Sequence, residues 1–152
     1  SCTPGAPAAP QAAIAAHIYL SEGRDEVLVS KIASAGEAAV GPAINLFLDT
    51  AYNRSGVTLA STSKTDLEAG VTAVCNEAIL QLDLTAHAAS HPRLGVVDHI
   101  AFNPLGCASC EEAADVARAV GLRLGLATGL AQEQHQVPAV PVYYYGHAHR
   151  DK

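Results

Sequence analysis

The sequence is organised around the stretch Ser90-His91-Pro92-Arg93-Leu94-Gly95-Val96-Val97-Asp98, which runs directly into the apolar segment from His99 to Leu105. Pro92 fixes its own backbone φ and disfavours a helical conformation at the residue before it. The apolar residues that follow predict a strand from Leu94 to Pro104. A histidine that can exchange a proton near neutral pH thus stands at the mouth of a strand. The stretch predicts a functional loop.

Strand and helix patterns alternate on the amino-terminal side of this loop. The first part of the chain predicts strands at Ala13 to Leu20, Ala43 to Leu48 and Gly56 to Ser61. A helix is predicted from Asp25 to Ala35, and the T-x-x-E pattern from Thr65 to Glu68 is typical of the capping box that starts a second helix.

A further helix and strand are predicted on the carboxyl-terminal side. Ser109 to Glu112 forms a second capping-box pattern, and its helix presents Val116, Val120 and Leu124 at helical spacing. Gly121, Gly125 and Gly129 lie four residues apart on this helix, which indicates close packing against it. Val140 to Tyr145 is predicted to be the last strand. The order predicts an α+β fold: a ferredoxin-like βαββαβ core with an added αβ unit, and a mixed sheet with helices on one face.

Length and composition indicate one folded domain. The chain has 152 residues, of which 49% are hydrophobic and 16% are charged, and its net charge is -6. Residues 1–11 are predicted to be a flexible Ala/Pro-rich arm, and residues 12–152 the domain. The acidic balance argues against a nucleic-acid surface. Prolines interrupt the uncharged amino terminus, so no transmembrane segment is expected. The four cysteines suit free thiols in a reducing compartment.

The residues His91 to Asp98 resemble the motif H-P-R-x-G-x-x-D of the formiminotransferase family. Three other segments agree with that family in the same order. Tyr19 to Gly23 resembles its N-F-S-E-G entry to the first helix, Phe47 to Asp49 resembles its apolar strand that ends in Asp, and Val140 to Gly146 resembles its V-P-V-Y-x-Y-G segment. The match is to the amino-terminal subdomain of the family's two-subdomain transferase, in the form of its short plant-type relatives.

The resemblance implies transfer of a formimino group from formiminoglutamate to tetrahydrofolate, which serves as a substrate. It implies that His91 is the proton acceptor at the folate nitrogen and that Asp49 assists this histidine. A base of near-neutral pKa suits attack by an amine, and a carboxylate can orient an imidazole. The folate-binding residues implied by the same motif are Pro92, Arg93, Gly95 and Asp98. No metal is expected.

Simpler roles remain open for each of these residues. His91 could be a loop histidine that is held by a backbone hydrogen bond, and Asp49 could cap the turn before Asn53. Arg93 could pair with Asp98 or Asp49 instead of with a substrate carboxylate. At the level of the whole protein, the alternative is a catalytically inactive family member that acts as a structural or interaction subunit of a larger assembly.

Cys107 and Cys110 form a C-x-x-C pattern at a predicted helix start, which is also compatible with redox chemistry or half of a zinc site. His147 and His149 are the nearest candidates to complete four zinc ligands. The favoured interpretation is structural, because ligands from two separate parts of the chain would have to converge and the capping box already accounts for Ser109.

Overall fold

The computed structural model describes residues 10–126 and 140–149. Its elements follow in the order β1 (Ala13–Leu20), α1 (Glu26–Val40), β2 (Asn45–Asp49), β3 (Arg54–Ser61), α2 (Lys64–Gln81), β4 (Val97–Leu105) and α3 (Cys110–Gly125), and a short 3-10 helix covers Gly146–Ala148. The predicted βαββαβ order and the helix that follows it are confirmed.

The four strands form one sheet in the order β2-β3-β1-β4, and each neighbouring pair is antiparallel. This is the ferredoxin-like α+β arrangement, so the predicted fold class is confirmed. The expectation of a mixed sheet is wrong in one respect. The helical crossovers join strands that run in the same direction, but β3 and β1 lie between those strands, so no two described neighbours are parallel.

The helices pack on one face of the sheet and enclose the hydrophobic core. α1 continues beyond the predicted end at Ala35 to Val40, and within it Gly36 lies against α2. A Cβ at Gly36 would come within 2.8 Å of the Gly70 carbonyl oxygen. The fully buried side chains of the core are aliphatic or small, and the largest are Ile18, Leu20, Ile32, Leu59 and Leu67.

Two helix starts were predicted from capping patterns, and one of them is correct. Ser109 caps α3 as predicted, since its hydroxyl accepts from the Glu112 amide and the Glu112 carboxylate accepts from the Ser109 amide. Those bonds and the neighbouring Lys64 hold the pKa of Glu112 below its usual value. α2 instead begins at Lys64 with Ser63 as its cap, so the predicted box at Thr65 is wrong. Ser63 precedes the helix and therefore has the extended backbone that a cap requires.

The predicted strand from Val140 to Tyr145 is not a strand in the structure. The segment pairs with no described strand and lies along α3, where the Val140 amide donates to the Leu124 carbonyl over 3.1 Å. The Tyr144 ring packs on Gly121, where a Cβ would lie 2.5 Å from the hydroxyl oxygen. The predicted close packing at the glycine row is thus confirmed at Gly121, whereas Gly129 lies outside the described residues.

The remaining predictions concern the amino-terminal arm, the cysteines, metal binding and membrane spans. Residues 1–9 of the predicted arm lie outside the described residues, as does Cys2. Cys75, Cys107 and Cys110 are free thiols, and burial raises the pKa of Cys75 to about 12. Within residues 10–126 and 140–149, no cluster of His, Cys, Asp or Glu could hold a metal ion. None of the helices described is long and apolar enough to span a membrane.

Candidate functional site

The face of the sheet opposite the helices carries an aromatic row. Side chains alternate along β1, so Ile18 is buried under the helices while Tyr19 points to this open face. The strand register aligns Phe47, Gly56, Tyr19 and His99 across the sheet. The Tyr19 ring stacks on His99 with centroids 5.5 Å apart and meets the edge of Phe47 at 6.1 Å. This aromatic row leads to the loops that hold the predicted site.

The turn between β2 and β3 forms one wall of the site. The carboxylate of Asp49 accepts a hydrogen bond from the Tyr52 amide over 2.8 Å, so the turn-capping role predicted for Asp49 is confirmed. Asn53 adopts a left-handed backbone with φ of 48°, a conformation that asparagine tolerates better than most residues. The turn places the Tyr52 ring against the His91 ring, with centroids 5.0 Å apart.

Asn53 ties three loops together at this end of the sheet. Its side-chain oxygen accepts from the Gly23 amide over 2.9 Å, and its side-chain nitrogen donates to the Ala88 carbonyl over 3.3 Å. Its own carbonyl accepts from Nε2 of His87 over 3.0 Å. Gly23 is required here, because a Cβ would collide with the backbone of Arg54. The loop after β1, the β2–β3 turn and the loop after α2 therefore form one structural unit.

His91 is half-buried, and its ring is oriented by a backbone carbonyl. Nδ1 lies 2.7 Å from the Pro92 carbonyl oxygen, which can only accept, so Nδ1 carries the proton. In the neutral imidazole the lone pair is then on Nε2, and no described residue forms a hydrogen bond with that atom. The backbone hydrogen bond predicted in the simpler interpretation is present. The same hydrogen bond leaves Nε2 unprotonated, which is the form that a general base needs.

Arg93 contacts neither of the carboxylates that were considered as its partners. Its guanidinium donates to Nδ1 of His87 over 2.6 Å and to the His87 carbonyl over 3.1 Å. It also donates to the Leu84 carbonyl over 3.2 Å. The predicted pairing with Asp98 or Asp49 is therefore wrong, because the side chain folds back along its own loop and closes it. His87 accepts through Nδ1 and donates through Nε2, so it is neutral in this arrangement.

Asp98 pairs with Arg54, a residue that the motif did not bring to attention. The register of β1 on β4 shifts between Tyr19 and Leu20, so Asp98 is the extra residue of a β-bulge. Its carboxylate forms an ion pair with Arg54 and accepts a hydrogen bond from the Leu94 amide. Arg54 also donates to the Pro92 carbonyl over 3.0 Å.

The two remaining motif residues are Pro92, which is exposed, and Gly95, which has few atoms around its Cα. Pro92 is exposed, and its carbonyl accepts from both His91 and Arg54. The Gly95 carbonyl accepts from the Ser21 hydroxyl over 2.7 Å. A Cβ at Gly95 would meet one backbone oxygen, at 3.7 Å, and the φ of this residue is not in the left-handed region. The described fold therefore does not itself require glycine at this position.

His91, Pro92, Gly95 and Asp98 lie at the same end of the sheet as Asp49. Tyr52 connects the two groups, because its amide donates to Asp49 and its ring contacts His91. No described hydrogen bond joins Asp49 directly to His91. Sequence reasoning did not assign Arg54 to the site, because the predicted strand began at Gly56 and no local pattern linked Arg54 to Asp98. It also missed Tyr145, whose hydroxyl donates to the Ile100 carbonyl and contacts His99. Burial, and then the nearby Tyr19, raise the pKa of Tyr145.

Comparison with known proteins gives consistent matches. The formiminotransferase domain, N-terminal subdomain, matches residues 13–152. The formiminotransferase cyclodeaminase-like protein of Arabidopsis thaliana is 36% identical over 140 residues, which cover 89% of this chain and 44% of that protein. The glutamate formimidoyltransferase of Thermoplasma acidophilum is 31% identical over 129 residues, which cover 84% of this chain and 39% of that protein. The chain therefore spans less than half the length of these curated relatives.

Proposed function

Because the chain belongs to the family of formiminotransferase N-terminal subdomains, we propose that it binds a folate and takes part in the transfer of a formimino group from formiminoglutamate to tetrahydrofolate. His91 is the general base of this reaction. The observation that carries the proposal is the hydrogen bond from Nδ1 of His91 to the Pro92 carbonyl, since it leaves the lone pair of Nε2 for a substrate proton.

The proposed reaction needs one proton acceptor that later becomes a donor. The folate amine nitrogen forms a bond to the formimino carbon, and the bond from that carbon to the glutamate nitrogen breaks. Nε2 of His91 accepts the proton that leaves the folate nitrogen and returns it to the departing glutamate amine. An imidazole side chain can both accept and donate a proton near neutral pH, so one histidine can perform both steps.

Asp49 assists His91 through the β2–β3 turn in this proposal. Its carboxylate holds the Tyr52 amide, and the Tyr52 ring lies against the imidazole of His91. In this proposal the negative charge of Asp49 also favours the imidazolium that forms during the reaction.

The four implied folate-binding residues divide into two kinds. Pro92 is exposed and Gly95 has space around its Cα, so these two contact the ligand. Arg93 and Asp98 are engaged in hydrogen bonds within the protein, and they act on the ligand by holding the loop in shape.

The test is a paired measurement of folate binding and turnover on the full chain. Isothermal titration with folinate and an assay with formiminoglutamate and tetrahydrofolate are run on the wild type and on His91→Ala. We expect millimolar or tighter binding by the wild type and a turnover loss on the order of 10²- to 10⁴-fold in His91→Ala, which is the usual contribution of a general base.

His147→Ala is the matched control, because this exposed histidine contributes its backbone carbonyl and not its ring to a described hydrogen bond with Arg118. It should bind folinate and turn over as the wild type does. Absence of folinate binding at millimolar ligand, or turnover that is unchanged in His91→Ala, would contradict the proposal.

A second candidate function is that of an inactive family member that serves as a subunit of a larger assembly. The observation in its favour is a set of exposed aromatic side chains, with Phe47 41%, Tyr145 56% and Tyr143 85% accessible. Exposed aromatic residues are enriched at protein interfaces. Native mass spectrometry of the endogenous protein distinguishes the two functions: a stable complex together with no measurable turnover favours the subunit, and a monomer that turns over substrate excludes it.

A further inference from the structure

One backbone oxygen links His91 to a residue on another strand. The Pro92 carbonyl accepts from Nδ1 of His91 over 2.7 Å and from Nη2 of Arg54 over 3.0 Å. A carbonyl oxygen has two lone pairs, so these two donors complete its hydrogen bonding. The position of this oxygen determines where the proton of the His91 ring is held. Whatever fixes the oxygen therefore acts on the histidine.

Arg54 is itself fixed by Asp98. Their side chains are only 19% and 8% exposed, so solvent screens this ion pair less than it screens a surface pair. Asp98 is in turn held at the β-bulge and accepts from the Leu94 amide. Arg54 begins β3 and Asp98 lies in β4, so their contact spans β1 and couples the rigid sheet to the loop that carries His91.

We infer that Arg54 and Asp98 are positioning residues that keep the proton of neutral His91 on Nδ1 and the lone pair on Nε2. The inference rests on the proposed function, because it assigns to the pair the task of presenting the general base in its reactive tautomer. The guanidinium holds the Pro92 carbonyl in place, the carbonyl holds the ring proton, and the carboxylate holds the guanidinium. Neither residue needs to touch a substrate.

The choice of tautomer matters because the two ring nitrogens are not equivalent. In neutral imidazole, one nitrogen donates and the other accepts, and the hydrogen bond made by one determines which form is present. If the Pro92 carbonyl moves, Nδ1 loses its acceptor and a population with the proton on Nε2 appears. That population cannot take a proton from the folate nitrogen through Nε2. The loss is therefore in the catalytic step and not in ligand binding.

The direct test reads the tautomer without any substrate. The ¹⁵N chemical shifts of the neutral His91 ring, measured in the uniformly labelled full chain, distinguish a protonated Nδ1 from a protonated Nε2. We expect the wild type to be protonated on Nδ1 and Arg54→Met to show a mixture of the two forms. Arg54→Lys should restore the wild-type pattern, because an ammonium group supplies donors for both the Asp98 carboxylate and the Pro92 carbonyl.

Arg24→Met is the matched control. Arg24 also donates to a loop carbonyl at this end of the sheet, that of Thr50 over 3.2 Å, but it makes no described contact with Pro92. The His91 shifts should not change in this variant. Asp98→Asn is the second test variant if Arg54→Met does not fold, and the circular dichroism melting temperature of each variant shows which ones are folded.

Turnover adds a second readout for the same variants. We expect kcat to fall on the order of 10- to 100-fold in Arg54→Met, as for other residues that orient a functional histidine, with KM within about twofold. An unchanged His91 tautomer in folded Arg54→Met and Asp98→Asn would overturn the inference. Wild-type protein that binds no folinate, while the tautomer still shifts in Arg54→Met, would instead overturn the proposed function and leave the structural coupling intact.

Discussion

The two faces of the sheet differ in what holds their side chains in place. Ile18 and Tyr19 are neighbours on β1, yet one is fully enclosed by the helices and the other lies in an aromatic row on the open face. The covered face is aliphatic and close-packed. The open face ends in Arg54, Asp98 and the His91 loop, where polar contacts fix the geometry. Close packing is therefore concentrated on the covered face, and the proposed chemistry on the open face.

This difference separates two kinds of substitution. A change on the covered face removes packing that several elements share, so it acts on folding. A change on the open face removes one or two directed contacts, so it acts on the orientation of a side chain while the fold persists. The division holds only if the open-face contacts contribute little to global stability, and that condition can be measured.

The largest expected effect is on the covered face. Ile18→Ala should lower the free energy of unfolding by about 2–5 kcal/mol, because it leaves a cavity among packed aliphatic groups. Tyr19→Ala, one residue away, should cost less than half as much, since its ring is only partly buried and its losses are contacts with Phe47 and His99. Urea unfolding of both variants measures the difference. Equal costs for the two would show that the open face also stabilises the fold.

A second expected effect on the covered face depends on pH. Burial raises the pKa of Cys75 from 9.0 to about 12, so between these values the thiol ionises in the unfolded chain but not in the folded one. The stability that it contributes is complete below pH 9 and is lost as the pH rises toward 12. The free energy of unfolding should fall by roughly 1.4 kcal/mol per pH unit across this window.

Two alanine variants isolate the contribution of Cys75. Cys75→Ala should remove most of this alkaline slope, and Cys110→Ala should retain it, because Cys110 is exposed. Urea unfolding at a series of pH values from 8 upward provides the comparison. If the slope survives in Cys75→Ala, another group is responsible for it.

The covered face was largely predictable from the sequence. The apolar run from Ala13 to Leu20 indicated the strand β1, and the helical spacing of Val116, Val120 and Leu124 indicated both α3 and the face that it buries. The strand from Val140 to Tyr145 was predicted incorrectly, because a short apolar run does not by itself specify its neighbour. Whether it pairs with a strand or lies on a helix depends on a neighbour, here Gly121, that the local pattern does not specify.

The site was predictable as a set of residues but not as a set of contacts. The motif indicated His91, Pro92, Arg93, Gly95 and Asp98, which lie in the loop before β4 and at the start of that strand. The partner of Asp98 was missed, because Arg54 is more than 40 residues away in sequence and reaches it only through the order of the strands. The β-bulge that turns Asp98 toward the open face is likewise a product of strand register, which is fixed by the whole sheet.

An intermediate effect is expected at a helix start, where directed contacts support the covered face. Ser109→Ala should lower the free energy of unfolding by about 1 kcal/mol, because the cap and its reciprocal bond with Glu112 are lost. Thr65→Ala is the control: it had the same sequence pattern but lies inside α2 after the cap Ser63, so it should change stability by less than about 0.5 kcal/mol. A larger loss of unfolding free energy in Thr65→Ala would support the capping box predicted at Thr65.

The smallest expected effect on stability is at Gly95 on the site loop. This substitution separates an effect on ligand binding from an effect on folding most clearly. Gly95→Ala should change the free energy of unfolding by less than about 0.5 kcal/mol, because the new methyl group meets one backbone oxygen at 3.7 Å and φ is unstrained. If Gly95 lies against the folate, as proposed, the same methyl group occupies ligand space and folinate affinity should fall severalfold in isothermal titration. Unchanged stability with unchanged affinity would remove Gly95 from the binding residues, whereas unchanged stability with weaker binding would show that this glycine serves the ligand and not the fold.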